Sequence, residues 1–186
     1  MYKYNLITMK RTDFYFCLIV VALFAPFVLS PNLYAGYQSF NAEHGMVMSF
    51  LKFAVLSTLG ELLGLRISTG QYLRKGFGVL PRAVVWGVLG MGINLAFIVF
   101  STGVPAAAGY LGVDDPAAIM AGPVTPSKVL LAFAISVSLN SIFAPVFMTF
   151  HKITDTHILA TGGTLRGLFT PCLLYTSPSP RDKRQS

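Results

Sequence analysis

The sequence has few charged residues, which make up 11% of its 186 positions, whereas a soluble domain carries about 25%. Hydrophobic residues make up 54% of the chain, and the mean hydropathy is +0.64. Because so few polar side chains cannot cover the surface of a water-soluble fold, this composition indicates a protein embedded in lipid.

Cysteine and histidine are also scarce. Cys17 lies in an apolar segment and Cys172 near the end of the chain, so neither a disulfide framework nor a paired-thiolate metal site is predicted. His151 and Asp155 have the i, i+4 spacing of helical metal ligands, but no third ligand is near them. Since catalytic groupings and cofactor motifs are absent as well, we predict a protein without a metal, a cofactor or enzymatic activity.

The C-terminal segment 172–186 is predicted to be foreign to the natural protein. Residues 172–182 back-translate to the end sequence of a transposase library adapter, and residues 183–185 back-translate to its complementary strand. Such processing segments are excluded from reasoning about a fold. We therefore treat residues 1–171 as the membrane domain and expect the natural chain to continue beyond them with a further apolar segment.

Four segments are apolar enough to cross a bilayer, which takes about 20 residues of helix. The sequence therefore predicts an all-α polytopic membrane helix bundle. A signal peptide is an alternative for the first segment, but no small-x-small cleavage site follows closely. Gly103 and Pro105 are predicted to end the third helix, leaving 106–126 as a surface loop or short interfacial helix. The predicted spans are 14–30, 46–65, 81–102 and 129–150.

The distribution of Lys and Arg predicts how the segments are oriented. The net charge is +7, but the basic residues lie in short inter-segment stretches and form no stripe that would bind nucleic acid. Because Lys and Arg are retained in the cytoplasm, the N-terminus, the 66–82 connection and the stretch after the fourth span are predicted to be cytoplasmic. The residues carrying this pattern are Lys3, Lys10, Arg11, Arg66, Arg74, Lys75, Arg82, Lys152 and Arg166.

Two ionisable residues lie within the second predicted span. Lys52 and Glu61 are nine positions apart and therefore on opposite helix faces, so they cannot pair within the helix. Each has two interpretations: an interfacial side chain that reaches towards water, with Arg66 near Glu61, or a buried charge that lines a cavity. The cavity interpretation is stronger for Glu61 because Ser57 and Thr58 share its face.

Asn94 and Asn140 lie in the third and fourth spans, where contact with lipid would leave their amides unsatisfied. Together with Glu61 they are predicted to form a polar intramembrane seam facing the bundle interior. Pro145 is predicted to kink the fourth span, with Asn140 satisfying the freed carbonyl. Small or polar residues at i, i+4 spacing predict close helix contacts at Ala83/Gly87, Gly92/Ala96 and Ala132/Ser136/Asn140/Ala144.

Segments 76–86 (GFGVLPRAVVW) and 143–150 (FAPVFMTF) resemble the Mpv-seventeen and peroxisomal-membrane-protein-twenty-two family of small membrane proteins. Gly78, Pro81 and Trp86 match its Gly-Pro-x-x-His-x-Trp-Tyr signature region, whereas Val84 and Gly87 replace the histidine and tyrosine. The second span ends in Thr-Leu-Gly-Glu, and Asn140-Ser141 precedes Pro145, both loose versions of family motifs. The resemblance covers about 46–155 and looks like a divergent bacterial branch. It implies a four-helix membrane protein, linked in some members to non-selective pores.

These observations leave three hypotheses for function. The first is a pore or solute-permeability factor in a bacterial inner membrane, with an organellar membrane as the alternative. The second is a structural or assembly protein in which the same polar residues hold helices together. The third is a membrane-embedded enzyme. The lipid bilayer is the predicted partner, and assembly as a homo-oligomer is left open.

Overall fold

The computed structural model describes residues 9–171, and the predicted adapter segment 172–186 lies outside them. Across residues 9–171 the chain folds into helices joined by short connections, without a β-strand. This confirms the all-α fold class. The helices are α1 (Arg11–Leu29), α2 (Pro31–Glu43), α3 (Gly45–Thr69), α4 (Val79–Tyr110), α5 (Pro116–Ala121), α6 (Pro126–Ser138) and α7 (Ala144–Ala160), with a 3-10 turn at Arg166–Phe169.

Four helices in this part of the chain are long and apolar enough to cross a membrane. They are α1, α3, α4 and a continuous 35-residue helix in which a π-helical turn, Leu139–Phe143, joins α6 to α7. In that turn the N–H of Ala144 donates to the Leu139 carbonyl five residues earlier. The wide turn lies where the kink at Pro145 was predicted, because proline has no N–H for the ordinary helical bond.

One predicted helix end was wrong. The third helix does not end at Gly103, since α4 continues through Pro105 to Tyr110. Pro105 is buried, and a membrane helix tolerates a proline when neighbouring groups and local adjustments satisfy the freed carbonyl. Beyond the predicted fourth span, α7 continues to Ala160 and carries polar residues past the apolar run.

A helix that was not predicted, α2, follows the first span. The Ser30 hydroxyl accepts a hydrogen bond from the N–H of Leu33 at 3.3 Å, and Pro31 occupies the first turn. A serine cap followed by proline is a common helix start. Further along, α5 matches the short-helix alternative for the 106–126 connection, with Asp115 as its cap.

The four long helices alternate in direction, as contacts at one end of the bundle show. Asp13 near the start of α1 pairs with Arg66 near the end of α3. Arg82 near the start of α4 pairs with Asp155 near the end of α7. The three regions that the charge pattern assigned to one side therefore meet at one end, here named the basic end. Which side of a membrane this end faces stays a prediction.

Helices α3 and α4 pack most closely of all, through two glycines of α4. A Cβ atom built on Gly87 would lie 2.5 Å from Phe50 Cε2, and one on Gly90 would lie 2.5 Å from Phe53 Cβ. Gly87 was predicted to be such a contact, whereas Gly90 was not. Gly92, which was predicted, has no atom within 4 Å of its Cβ position, although Ala96 of the same pair is buried.

Gly90→Ala is expected to destabilise the bundle by about 1–3 kcal/mol, because the added methyl overlaps Phe53 Cβ, which cannot move without its backbone. Gly92→Ala is the matched control on the same helix. Its methyl enters open space, so its stability should be unchanged or slightly raised. Thermal melting of both variants in detergent measures the difference, and equal melting temperatures would contradict the close α3–α4 contact.

The small-residue stripe of the fourth helix does not form the predicted close contact. Ala132, Ser136 and Asn140 are exposed and Ala144 is half-buried, whereas Leu131 is the buried residue of α6. Helix α6 does contact α4, and its buried Leu131 lies on the face next to the stripe.

Candidate functional site

The basic end holds a group of four ionisable side chains from three helices, here named the ionic cluster: Glu61, Arg82, His151 and Asp155. Glu61 is on α3, Arg82 is on α4, and His151 and Asp155 are on α7. His151 and Asp155 are four residues apart and therefore share one face of α7. The same spacing places Trp86 of α4 on the face of Arg82, so α4 and α7 each present two residues of the site, whereas α3 presents Glu61 alone.

Arg82 is the centre of the ionic cluster. Its Nη1 pairs with Glu61 Oε2 and its Nη2 pairs with Asp155 Oδ1, so one guanidinium bridges α3 and α7. Its Nε donates to the Phe77 carbonyl at 2.7 Å, and its Cζ lies 4.3 Å from the centroid of the Phe77 ring. The Arg82 side chain is only 6% exposed. A planar guanidinium with several fixed donors suits such a bridging position.

The second oxygen of Glu61 faces aromatic neighbours. Trp86 Nε1 donates to Glu61 Oε1 at 2.6 Å, and His151 Nε2 lies 3.8 Å from the same oxygen. The Trp86 and His151 rings are in contact, with centroids 4.5 Å apart. His151 Nδ1 is buried and has no hydrogen-bond partner in the described residues. The imidazole therefore lies beside the carboxylate without a strong bond to it.

A shallow cavity of about 360 Å³, largely open to its surroundings, adjoins the ionic cluster. The cluster residues line one side of it, and Gly64 and Ser68 of α3 line another. The two carboxylates and the one guanidinium together carry one excess negative charge. The cavity can therefore hold polar or positively charged groups within a helix bundle that is otherwise apolar.

A second ion pair joins α1 to α3 at the same end. Arg66 Nε and Nη2 reach the two Asp13 oxygens at 2.6 Å each, and the backbone N–H of Lys10 donates to Asp13 at 2.7 Å. The Arg66 and Asp13 side chains are 5% and 15% exposed. In the adjoining loop, Tyr72 stacks on Phe16, and burial raises the pKa of its phenol, with a further contribution from Asp13.

The predicted seam of Glu61, Asn94 and Asn140 is not assembled. Asn94 is near the opposite end, where its amide nitrogen lies 3.2 Å from Met46 Sδ. Met46 and Glu61 are fifteen residues apart on α3, about 22 Å along the helix axis. Asn94 therefore contacts α3 far from the ionic cluster.

Asn140 was predicted to face the bundle interior, and the structure instead places it on an exposed face. Its amide nitrogen donates to the Ser136 carbonyl at 2.8 Å. An amide with an acceptor in its own helix does not require a neighbouring helix, which explains the difference. The predicted bond to the carbonyl freed by Pro145, that of Ser141, is therefore not formed by Asn140, whose acceptor lies one turn earlier.

Lys52 and the three family-motif residues have separate environments. Lys52 is half-buried and donates to Asn41 Oδ1 of α2 at 2.7 Å.

Gly78 immediately precedes α4 and has a φ of +71°, which favours glycine. A Cβ atom at this position would also lie 2.7 Å from Ile158 Cγ2, so the space requires glycine as well. Pro81 is buried in the first turn of α4, and Trp86 contacts the ionic cluster.

Sequence reasoning identified Glu61 but missed its partners. Arg82 was interpreted as a free loop charge, and His151 and Asp155 as an ordinary helix end. The i, i+4 spacing of the last two was visible, and extending the fourth helix to Ala160 would have placed both on a spanning helix. The matched spacing of Arg82 and Trp86 was the second signal that could have been used.

Comparison with known proteins adds no assignment to this geometry. No family model, curated protein or solved structure matches the chain. The fold alone defines the class of protein: its four long apolar helices indicate a multi-pass helical membrane protein.

Proposed function

We propose that this protein raises the permeability of its membrane to small polar solutes, and that the ionic cluster lines the mouth of the path at the basic end. The observation that carries the proposal is the cavity of about 360 Å³ beside four ionisable side chains in a bundle of spanning helices. Ionisable residues are costly within a membrane, and they are retained most often where ions, protons or polar substrates bind.

The charges of the cluster favour one class of solute. Glu61 and Asp155 contribute two negative charges and Arg82 one positive charge, so a cation or a neutral polar solute meets less repulsion than an anion. We therefore expect cation passage to exceed anion passage.

The test is solute flux through liposomes that contain the purified full chain. Wild-type protein is expected to raise cation leak above that of empty liposomes. Glu61→Gln is expected to lower cation leak several-fold, because glutamine keeps the acceptor for Trp86 Nε1 but removes the excess negative charge. Cation and anion fluxes are measured in parallel with matched dyes.

Glu43→Gln is the control for this experiment, since it makes the same chemical change on an exposed side chain of α2. It should leave both fluxes unchanged. Wild-type flux equal to that of empty liposomes would contradict the permeability proposal. Equal flux through wild type and Glu61→Gln would remove the ionic cluster from the path.

The second candidate function is structural, with the ionic cluster as a clamp for assembly. The observation that favours it is that Arg82 forms ion pairs with both Glu61 and Asp155 and so bridges α3 and α7 from α4. In that case Glu61→Gln would lower the melting temperature while the flux per folded molecule stayed at the background level. The permeability function therefore predicts that Glu61→Gln changes the solute flux, whereas the structural function predicts that it changes the melting temperature.

We place the basic end in the cytoplasm, since exposed Arg11, Arg74, Lys75 and Lys152 remain there after the buried pairs are set aside. We further propose that the chain is a divergent member of the Mpv-seventeen and peroxisomal-membrane-protein-twenty-two family in a bacterial inner membrane. Support for this comes from the buried Pro81 and from Gly78 and Trp86, whose structural roles would constrain their replacement.

A further inference from the structure

A second cavity, also of about 360 Å³, lies between α1, α2 and α3 towards the end opposite the basic end. Its lining is almost entirely apolar and includes Leu23, Phe27, Tyr34, Met48, Lys52 and Val55. Helix α1 forms one wall, yet none of its residues is buried against the other described helices. The space is therefore an open groove, here named the α1–α3 groove.

Lys52 is the only charged residue in the lining of the α1–α3 groove. Its ammonium donates to the neutral oxygen of Asn41 at 2.7 Å, and no carboxylate in residues 9–171 forms an ion pair with it. An ammonium has three donors, so further bonds are open to it. A half-buried cation beside apolar walls is complemented best by an anionic group attached to an apolar chain.

The groove residues of α3 are ordered along the axis of that helix. Tyr34 belongs to α2 beyond the end of α1, and tyrosine is enriched where membrane meets water. Lys52 is seven residues inside the start of α3, about 10 Å along its axis, and Leu56 is about 6 Å deeper. A cationic level and then an apolar level thus follow one another along α3, in the order of the phosphate and the acyl chain of a phospholipid.

We propose that the α1–α3 groove binds one phospholipid, with an acyl chain against Val55 and Leu56 and the phosphate on Lys52. The acyl chain fills the space that α1 leaves open, and the phosphate supplies the charge that Lys52 lacks. Another helix would fill the same space with apolar side chains and leave the ammonium without an anion. The charge of Lys52 therefore favours a phospholipid over a second copy of the chain.

The test is native mass spectrometry of the full chain in mild detergent, with phosphatidylglycerol or a diacylglycerol of the same acyl chains as the probe. Wild-type protein is expected to retain one phosphatidylglycerol. Lys52→Met should weaken that retention about tenfold, as expected for losing one charge-assisted hydrogen bond, and should leave diacylglycerol retention unchanged. Val55→Trp, which fills the groove, should reduce retention of both lipids.

Lys75→Met is the matched control, because it removes an exposed lysine at the basic end. It should retain phosphatidylglycerol as wild type does. Lys52→Arg keeps the positive charge and should therefore retain phosphatidylglycerol better than Lys52→Met does. Equal retention by wild type and Lys52→Met would overturn the proposal. A dimer that Val55→Trp dissociates would overturn it too, since a second copy would then occupy the groove.

Discussion

Arg82→Met is expected to lower the free energy of unfolding by about 3–5 kcal/mol, the loss typical of removing one partner from a buried ionic group. Methionine keeps much of the apolar stem but leaves Glu61 and Asp155 without their shared cation, at 17% and 20% side-chain exposure. The Phe77 carbonyl also loses the hydrogen bond from Nε. Since native proteins are stable by about 5–15 kcal/mol, this is a large fraction of the total.

Trp86 allows a direct measurement of this loss, because it is the one tryptophan of the sequence and it contacts Glu61. Unfolding by SDS in mixed micelles, followed by its fluorescence, gives the free energy. The triple variant Arg82→Met/Glu61→Gln/Asp155→Asn removes all three charges and should recover most of the loss. Arg74→Met, an exposed control, should unfold as wild type does.

The stability of the triple variant decides whether Arg82 acts as an ionic bridge. If the triple variant were no more stable than Arg82→Met, the unpaired carboxylates would not be the cause of the loss. The destabilisation would then come from packing of the Arg82 stem or from the Phe77 contacts. The comparison separates charge from shape because Gln and Asn are close in size to the acids they replace.

The four long helices could be predicted from the sequence because membrane spans depend on the length and apolarity of single segments. Helix ends could not, since they depend on partners. Pro105 does not end α4, where burial and neighbouring contacts outweigh the lost hydrogen bond. Helix α2 was missed because its apolar content is modest, although Ser30 and Pro31 carry a recognisable start signal.

The candidate site was predictable only in part, because it depends on which helix ends meet. Glu61 was identified as a charge that needs an explanation, but its partner is Arg82, twenty-one residues away, and not Arg66. Arg66 and Arg82 both contributed to the predicted orientation, yet both are buried in ion pairs. A count of loop charges cannot distinguish a paired arginine from a free one.

Asn140 illustrates the opposite limit of sequence reasoning. Its cost in lipid predicted contact with another helix, but its amide bonds to the Ser136 carbonyl of its own helix. The π-helical turn that begins at Leu139 changes the local spacing of backbone bonds, and Pro145 predicted a kink here but not its π-helical form. A polar side chain near a membrane proline can therefore bond either to another helix or to a carbonyl of its own helix, and only the structure shows which of the two occurs.

Asp13→Asn is expected to release the start of α1 from α3. This structural change is larger than the one expected from the loss of a single surface ion pair. The reason is that α1 buries no residue against the rest of the described bundle. Both oxygens of Asp13 contact Arg66 at 2.6 Å, and one also accepts the backbone N–H of Lys10. Asparagine keeps the shape but removes the charge on which the two-bonded contact depends.

Spin labels at Thr12→Cys and Ser68→Cys, in a background with Cys17→Ser and Cys172→Ser, measure this separation by pulsed electron resonance. Both label sites are exposed and lie next to the ion pair on α1 and α3. We expect one narrow distance distribution with Asp13 present, and a longer, broader distribution after Asp13→Asn. Exchanging the charges, with Asp13→Arg and Arg66→Asp, should narrow the distribution again.

Asp114→Asn is the control, because it makes the same change on an exposed residue between α4 and α5. It should leave the distribution narrow. A narrow distribution in Asp13→Asn would mean that other contacts, such as the Phe16–Tyr72 stack, suffice to hold α1. Because α1 also forms one wall of the α1–α3 groove, its release should weaken retention of phosphatidylglycerol in the same variant, whereas Asp114→Asn should retain the lipid as wild type does.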